Sequence, residues 1–191
     1  PGFFEARDVE IQAISGPSRA AVSVDFGIVL PCRDDAEFTQ LPKMNFDFDW
    51  NAHFSSDSSS YRVYENFWGL TGDITALRWW GVDAACCWTE CDRTWPDNFR
   101  IGFYTDNGGL PDILVAQYVL VPTEWNTGLL GMGLYEIKEY EVTLPTPVAL
   151  TNGWISIEGV DTGSCWFLWG TARGGDGVGL QDIGDPVDVG V

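Results

Sequence analysis

Short apolar runs separated by turn residues are the feature that most constrains what this chain can fold into. No stretch of ten or more residues places apolar side chains at helical spacing without a glycine or proline inside it. Residues Asn98–Thr105 alternate instead, with Phe99, Ile101 and Phe103 on one side of the chain. Alternation of this kind is typical of a strand that buries one face. The chain is therefore predicted to be all-β.

Nine segments carry the strand pattern, and turn clusters separate them. They are Val9–Ile14, Ala21–Leu30, Tyr61–Phe67, Ile74–Val82, Asn98–Thr105, Ile113–Val121, Tyr135–Leu144, Trp154–Val160 and Cys165–Thr171. Because most of them have one apolar face, they predict an antiparallel β-sandwich of eight to nine strands, wound as a jelly roll. The Gly- and Asp-rich tail over 174–191 predicts either a weak edge strand or a disordered end. The break at Gly16–Ser18 predicts an N-terminal extension over 1–20 and a sandwich domain over 21–191.

One predicted strand has an irregular pattern. Within Tyr135–Leu144 the apolar side chains change parity between Ile137 and Tyr140. A regular strand cannot place both sets on one face, so we predict a β-bulge near Lys138 and Glu139.

The charge of the chain excludes several classes of partner. The 191 residues contain 28 acidic and 10 basic side chains, which gives a formal net charge of −18. Such a chain repels the phosphate backbone of nucleic acids and anionic membrane surfaces. The sequence has no apolar run near 18 residues, so no membrane insertion is expected. Disorder is not expected either, because aromatic residues make up 14% of the chain and hydrophobic residues 45%.

The five cysteines indicate an oxidising compartment. Cys91 is predicted to bond with Cys86 or Cys87, and Cys32 with Cys165, which leaves one cysteine odd. The alternative is that all five are reduced and buried. The many Trp and few Lys residues are also typical of exported proteins, and the chain begins without Met, as a processed mature protein would. We therefore expect an extracellular or cell-surface protein.

Catalytic residues are not evident in the sequence. His53 is the single histidine and no nucleophile elbow accompanies it, which argues against a Ser-His-Asp hydrolase. Glycosidases need two carboxylates across a cleft. Glu136, Glu139 and Glu141 crowd one predicted strand, and we interpret them as a solvated acidic face. The chain is predicted not to be an enzyme.

Calcium is the metal that the loops would suit. Asp47 and Asp49 alternate in one segment, and Asp106 and Asn107 lie together in a glycine loop. Oxygen ligands from loops are what Ca²⁺ takes in proteins. These four residues are the candidate ligands, and solvated turn residues are the alternative.

Tryptophan is unusually frequent, with ten residues in the chain. Trp88, Trp95 and Trp125 fall in predicted loops and are the candidates for stacking on a sugar. The alternative is that they pack loops over the rim of the sandwich, and a subunit contact is the other functional interpretation. Adjacent Trp79 and Trp80 must point to opposite faces of their strand, so one of them is expected to lie outside the main core.

Several segments resemble secreted bacterial β-sandwich domains of unassigned function that occur in surface proteins with sorting anchors. The segments are Tyr64–Phe67, Ile74–Gly81, Phe99–Pro111, Tyr140–Pro145 and Gly153–Ile157. The resemblance covers roughly residues 60–185 and implies a fold but no reaction. It also implies a further apolar strand after the Gly/Asp segment, for which the sequence as given has no candidate.

A sandwich that lacks an edge strand exposes a ladder that another chain can fill. We therefore expect a homo-oligomer or filament in which the N-terminal strand of one copy, from residues 1–15, completes the sheet of the next. The predicted function is that of a non-catalytic extracellular structural protein, either a surface or filament subunit or an adhesive module. A carbohydrate-binding module that recognises polysaccharide, with calcium as a candidate ion, is the alternative. Because of the charge, assembly should strengthen with salt or divalent cations.

Overall fold

The computed structural model of the protein describes most of the chain from residue 61 onwards and short pieces before it. The described residues are 11–12, 38, 41–42, 53–55, 61–85, 89–91, 98–131, 135–160, 165–170, 172–173 and 179–183. The predicted strand Ala21–Leu30 lies outside them. Of the extension predicted over 1–20, only Ile11 and Gln12 are described.

Every regular element in the described part of the chain is a β-strand. The strands are β1 (Ile11–Gln12), β2 (Leu41–Pro42), β3 (His53–Ser55), β4 (Tyr61–Phe67), β5 (Ile74–Ala85), β6 (Thr89–Glu90), β7 (Asn98–Asp106), β8 (Pro111–Leu120), β9 (Thr123–Gly131), β10 (Tyr135–Val148), β11 (Gly153–Val160), β12 (Cys165–Gly170), β13 (Ala172–Arg173) and β14 (Gly179–Ile183). Nine of them have five or more residues. The predicted all-β class and the predicted strand number are therefore confirmed.

Two antiparallel sheets carry the long strands. The first has the order β3-β12-β5-β10-β9, and β1 and β6 also pair with β5. The second, five-stranded sheet has the order β14-β4-β11-β7-β8. A separate two-stranded ladder joins β13 to β2.

The pairings nest along the chain as a jelly roll requires. β7 and β8 form a hairpin, and outside it β5 pairs with β10, β4 with β11 and β3 with β12. The chain thus behaves as one long hairpin wound over itself, and the pairs alternate between the two sheets. The pairing of β12 with β5 joins the strand pairs of the first sheet, and the pairing of β11 with β7 joins those of the second. This confirms the predicted sandwich and its jelly-roll winding.

The core between the sheets is built from aromatic rings. Trp79, Tyr140 and Phe167 come from the first sheet, and Phe99 comes from the second. The ring centroid of Phe99 lies 5.2 Å from Trp79, 5.0 Å from Tyr140 and 4.9 Å from Phe167. All four side chains are fully buried. The alternation predicted for Asn98–Thr105 is confirmed, and it places Phe99 at the centre of the contact between the sheets.

The outer face of the first sheet, turned away from this core, is also apolar. Trp80, Val82, Tyr135, Ile137 and Leu168 form a second buried cluster there. Trp79 and Trp80 do point to opposite faces, as predicted, yet Trp80 is only 3% exposed. Both faces of this sheet are therefore buried, which explains why its strands have apolar residues at both parities.

The β-bulge predicted near Lys138 and Glu139 is wrong. β10 runs against β5 without a register shift from Lys138 to Thr143. The parity change arises because Ile137 faces the outer cluster whereas Tyr140 faces the core. The strand is regular here because each apolar set has its own buried face.

The extra residues lie in the neighbouring strand, β9. Its pairing with β10 shifts between Glu136 and Lys138, and the segment Thr127–Leu129 faces that gap. Gly128 has a φ of 72°, a conformation that favours glycine, and Thr127 Oγ1 donates to the carbonyl of Ile137 at 2.6 Å. The sequence did not predict β9, since glycines and polar residues mask its strand pattern.

The Gly/Asp-rich tail contributes an edge strand. β14 pairs with β4 from Gly179–Glu65 to Ile183–Tyr61 and forms one margin of the five-stranded sheet. This confirms the first of the two outcomes predicted for the tail.

Candidate functional site

The most exposed apolar segment that the structure describes is an edge strand. β8 is the last strand of the five-stranded sheet and, among the described strands, pairs with β7 alone. Ile113 is 62% exposed, Val119 55%, Val115 46% and Leu114 42%. We call the unpaired side of Pro111–Leu120 the β8 edge. Long apolar edges of this kind are templates for pairing with another strand.

The β8 edge lacks the charges that usually protect such strands. Between Pro111 and Val121 the only charged residue is Asp112, and there is no lysine. In natural proteins, lysine or proline residues, β-bulges or a short length prevent an edge strand from pairing with another chain. Here Pro111 and two register shifts against β7 interrupt the first half of the strand. The second half, Ala116–Leu120, pairs with β7 without a shift and is unprotected.

Packing on the inner side holds this strand in place. Ala116, Tyr118 and Leu120 pack against the core between the sheets. The Tyr118 ring lies 6.4 Å from that of Phe103, and its hydroxyl donates to the carbonyl of Thr146 at 2.9 Å. The backbone of the β8 edge is therefore fixed in an extended conformation before any partner arrives, which lowers the entropy lost on pairing.

Two glycines and an aspartate determine the conformation of the turn before β8. Gly108 and Gly109 have φ values of 66° and 85°, which side chains with a Cβ rarely adopt. Asp106 Oδ2 accepts the Gly109 N–H at 3.3 Å, and Asp106 Oδ1 accepts the Trp154 Nε1–H at 2.7 Å. Both oxygens of the predicted calcium ligand Asp106 thus have protein donors.

The structure describes one further candidate calcium ligand beside Asp106. Asn107 lies in the same turn, and Asp47 and Asp49 lie outside the described residues. In the ranges that the structure describes, no group of three or more His, Cys, Asp or Glu side chains is placed to hold a metal ion. Calcium binding stays a prediction from the sequence.

A buried ion cluster crosses the outer face of the five-stranded sheet. Glu158, on β11, is 2% exposed. One of its oxygens accepts from Arg62 Nε on β4, and the other lies 3.2 Å from Arg100 Nη1 on β7. Burial lowers the pKa of Arg62, but the hydrogen bond with Tyr64 and the charge of Glu158 outweigh it and raise the pKa overall. With both oxygens held by guanidinium groups, this carboxylate ties three strands together.

A second ion cluster contains Asp83, Lys138 and Glu124. Lys138 Nζ lies 3.0 Å from Asp83 Oδ2 and 2.9 Å from Glu124 Oε1. Asp83 is 2% exposed, so it depends on this ammonium for its charge balance. Burial lowers the pKa of Lys138, but the Asp83 charge and the hydrogen bonds to Glu124 and Asp83 outweigh burial and raise the pKa above its ordinary value.

Replacing Lys138 with methionine is expected to lower the free energy of unfolding by about 3 kcal/mol, because Asp83 then keeps a buried charge without its cation. Lys138→Arg, which keeps a cation, should lose less. Because the folded-state pKa of Lys138 is raised, its contribution is complete below the unfolded-state pKa of about 10.4 and is lost as pH rises through the folded-state pKa. Urea unfolding from about pH 8 upwards should show the wild-type advantage over Lys138→Met first constant and then shrinking. An advantage that grows with pH would contradict this assignment.

The tryptophan predictions have mixed outcomes. Trp125 is 46% exposed, but it lies in β9 opposite Glu139 of β10 and not in a loop, which corrects the prediction. Trp88 and Trp95 lie outside the described residues. In β12, Trp166 is exposed whereas Trp169 is buried in the core.

The disulfide in the described structure differs from the predicted pairs. Cys91 bonds with Cys165, and their Cα atoms lie 5.9 Å apart. β6, which immediately precedes Cys91, pairs with the end of β5, and β12 brings Cys165 opposite Ala85 of the same strand. The predicted bonds from Cys91 to a nearby cysteine and from Cys32 to Cys165 are therefore wrong, because strand pairing and not sequence distance brings the sulfurs together. The other three cysteines lie outside the described residues.

The β8 edge was missed as a site in the sequence, although its strand was predicted. The run Ile113–Val121 is almost continuously apolar, and such a run is typical of a strand buried on both faces. The sequence did contain one signal of this site, because Ile113–Val121 forms one arm of a hairpin and has no Lys, Arg or Glu.

No family model, curated protein or solved structure matches this chain. Among the described residues no helix is long and apolar enough to cross a membrane. The resemblance to secreted sandwich domains therefore stays a prediction.

Proposed function

We propose that this protein is a non-catalytic structural protein that works outside the cell as a self-associating subunit of a surface layer or filament, or as an adhesive module. The observation that carries this proposal is the β8 edge, an apolar strand margin without protecting charges in a chain of net charge −18. The disulfide between Cys91 and Cys165 supports an oxidising compartment.

The contacts of Glu158 and Asp83, two of the three buried carboxylates in the described part of the chain, support a non-catalytic role. Glu158 is held between Arg62 and Arg100, and Asp83 contacts Lys138 and the Tyr140 hydroxyl. Carboxylates neutralised in this way stabilise the fold and are poor general acids or nucleophiles. Polysaccharide binding is the alternative function, and Trp125, which is 46% exposed on β9, is the predicted stacking residue that the structure describes.

The N-terminal segment is a less suitable donor strand than predicted. Ile11 and Gln12 pair with Leu77 and Ala76 of their own chain. Exchange of this segment between copies would have to replace that pairing. The β8 edge needs no such replacement, because its second side has no partner among the described strands.

Sedimentation velocity of the purified chain tests the proposal. We expect the weight-average sedimentation coefficient to rise with protein concentration, and to rise further when salt is increased from roughly 0.01 to 0.5 M, because salt screens the repulsion between acidic copies. Calcium or magnesium should act in the same direction at lower concentration. A chain that stays monomeric at every concentration and salt level would overturn the proposal.

A further inference from the structure

We propose that two copies of this chain associate by antiparallel pairing of their β8 edges, so that two five-stranded sheets become one continuous sheet of ten strands. This inference rests on the proposed self-association and names its contact. It concerns the regular half of the strand, Ala116–Leu120, since this part pairs with β7 without a register shift. The bulged half around Val115 is too irregular to form a ladder.

Unpaired backbone groups favour this contact over a contact between sheet faces. Every second residue of an edge strand directs its N–H and C=O away from the sheet. A second extended strand satisfies these groups at once, and the packing of Tyr118 and Leu120 on the core keeps the edge straight enough to receive it. Side-chain burial adds to the hydrogen bonds, because Val119 is 55% exposed in the single chain.

The charge distribution favours a second copy as the occupant. A basic partner would be recognised by acidic residues, but this strand has none between Ile113 and Val121. For two copies of a chain with net charge −18, the uncharged segment is the place where approach costs least repulsion. Pairing centred on Tyr118 sets the two Asp112 carboxylates roughly 40 Å apart at about 3.3 Å per residue, well beyond the screening length.

The geometry is self-complementary. With the two-fold axis at Tyr118, Ala116 of one copy lies opposite Leu120 of the other, and Gln117 lies opposite Val119. Such an isologous contact closes on a dimer, so a filament requires a second contact elsewhere on the chain. Because the paired segment is short, the contact belongs to the small, weak class of interfaces, and we expect dissociation constants in the micromolar to millimolar range.

Two matched lysine substitutions test the proposal. Val119→Lys puts two ammonium groups near the two-fold axis and should weaken dimerisation at least tenfold. Trp166→Lys changes the net charge by the same amount on β12, a strand that is hydrogen-bonded on both sides, and Trp166 is 40% exposed. This control should dimerise as the wild type does. Added lysine reduces the net negative charge, so a loss confined to Val119→Lys cannot come from general repulsion.

A second measurement covers the case in which Val119→Lys does not fold. Hydrogen exchange of the wild-type chain at low and high concentration should show amides in Ala116–Leu120 becoming at least several-fold slower on association, while amides of the opposite edge strand β14 do not change. Dimers that persist in a folded Val119→Lys chain, or exchange that slows elsewhere but not in β8, would overturn the β8 pairing and leave self-association standing. An equal loss in both lysine variants would also overturn it. A wild-type chain that is monomeric at millimolar concentration would overturn both proposals.

Discussion

Replacing Phe99 with alanine is expected to lower the free energy of unfolding by about 4 kcal/mol. Phe99 is the ring through which the five-stranded sheet contacts Trp79, Tyr140 and Phe167 of the other sheet, at centroid distances of 4.9 to 5.2 Å. It is 0% exposed, so no water can enter to relieve the cavity. Removal of the ring therefore loses the transfer free energy, three edge-to-face contacts and the packing on both sides of the sandwich.

Denaturant unfolding of graded variants measures this effect. Phe99→Leu refills most of the cavity and should cost about 1.5 kcal/mol. Trp166→Ala removes a larger but 40% exposed ring from the outer face of the first sheet and should cost less than Phe99→Ala. If Phe99→Ala and Trp166→Ala shifted the midpoint equally, Phe99 would not be the centre of the core.

Removing the disulfide is expected to destabilise the protein by about 4 kcal/mol through chain entropy alone. Cys91 and Cys165 are separated by 74 positions, so the bond closes a long loop and greatly restricts the unfolded chain. The double variant Cys91→Ala, Cys165→Ala keeps small apolar side chains at these sites. Its melting temperature should fall by roughly 10 °C, given the usual entropy of unfolding of a chain of this size.

Reduction provides the matched control. Dithiothreitol should lower the stability of the wild-type chain toward that of the double variant, and the double variant should respond less to the same treatment. A double variant as stable as the wild type would mean that the bond does not constrain the unfolded chain.

The sequence correctly predicted the fold class. Alternation in Asn98–Thr105, with Phe99, Ile101 and Phe103 at one parity, determined which face of β7 packs in the core between the sheets, although Tyr104 at the other parity is also buried. The alternation of apolar and polar residues is a local property, since it depends on an extended backbone and on the burial of one face of the strand. For the same reason the bounds of β4, Tyr61–Phe67, were predicted as the structure has them.

The predictions from the sequence were wrong where a second buried face or a distant strand determined the structure. The parity change between Ile137 and Tyr140 was interpreted as a bulge because one buried face was assumed, whereas the sheet buries both. The disulfide was misassigned for a related reason. Strand pairing brings Cys165 next to Cys91, which is 74 positions away in the chain, and local sequence patterns do not predict such a pairing.

By itself the sequence determined that this acidic chain is an all-β sandwich, because alternation and turn residues act locally and a high aromatic content requires a core. Only the tertiary structure decided which strands lie at the margins. β8 has as apolar a sequence as β11, yet within the described strands β11 is paired on both sides and β8 on one. Whether a strand is central or an edge depends on the order of the sheet, and that order is set by pairings between distant segments. The candidate contact between copies is therefore a property of the topology, and the composition adds only that this margin has almost no charge to oppose it.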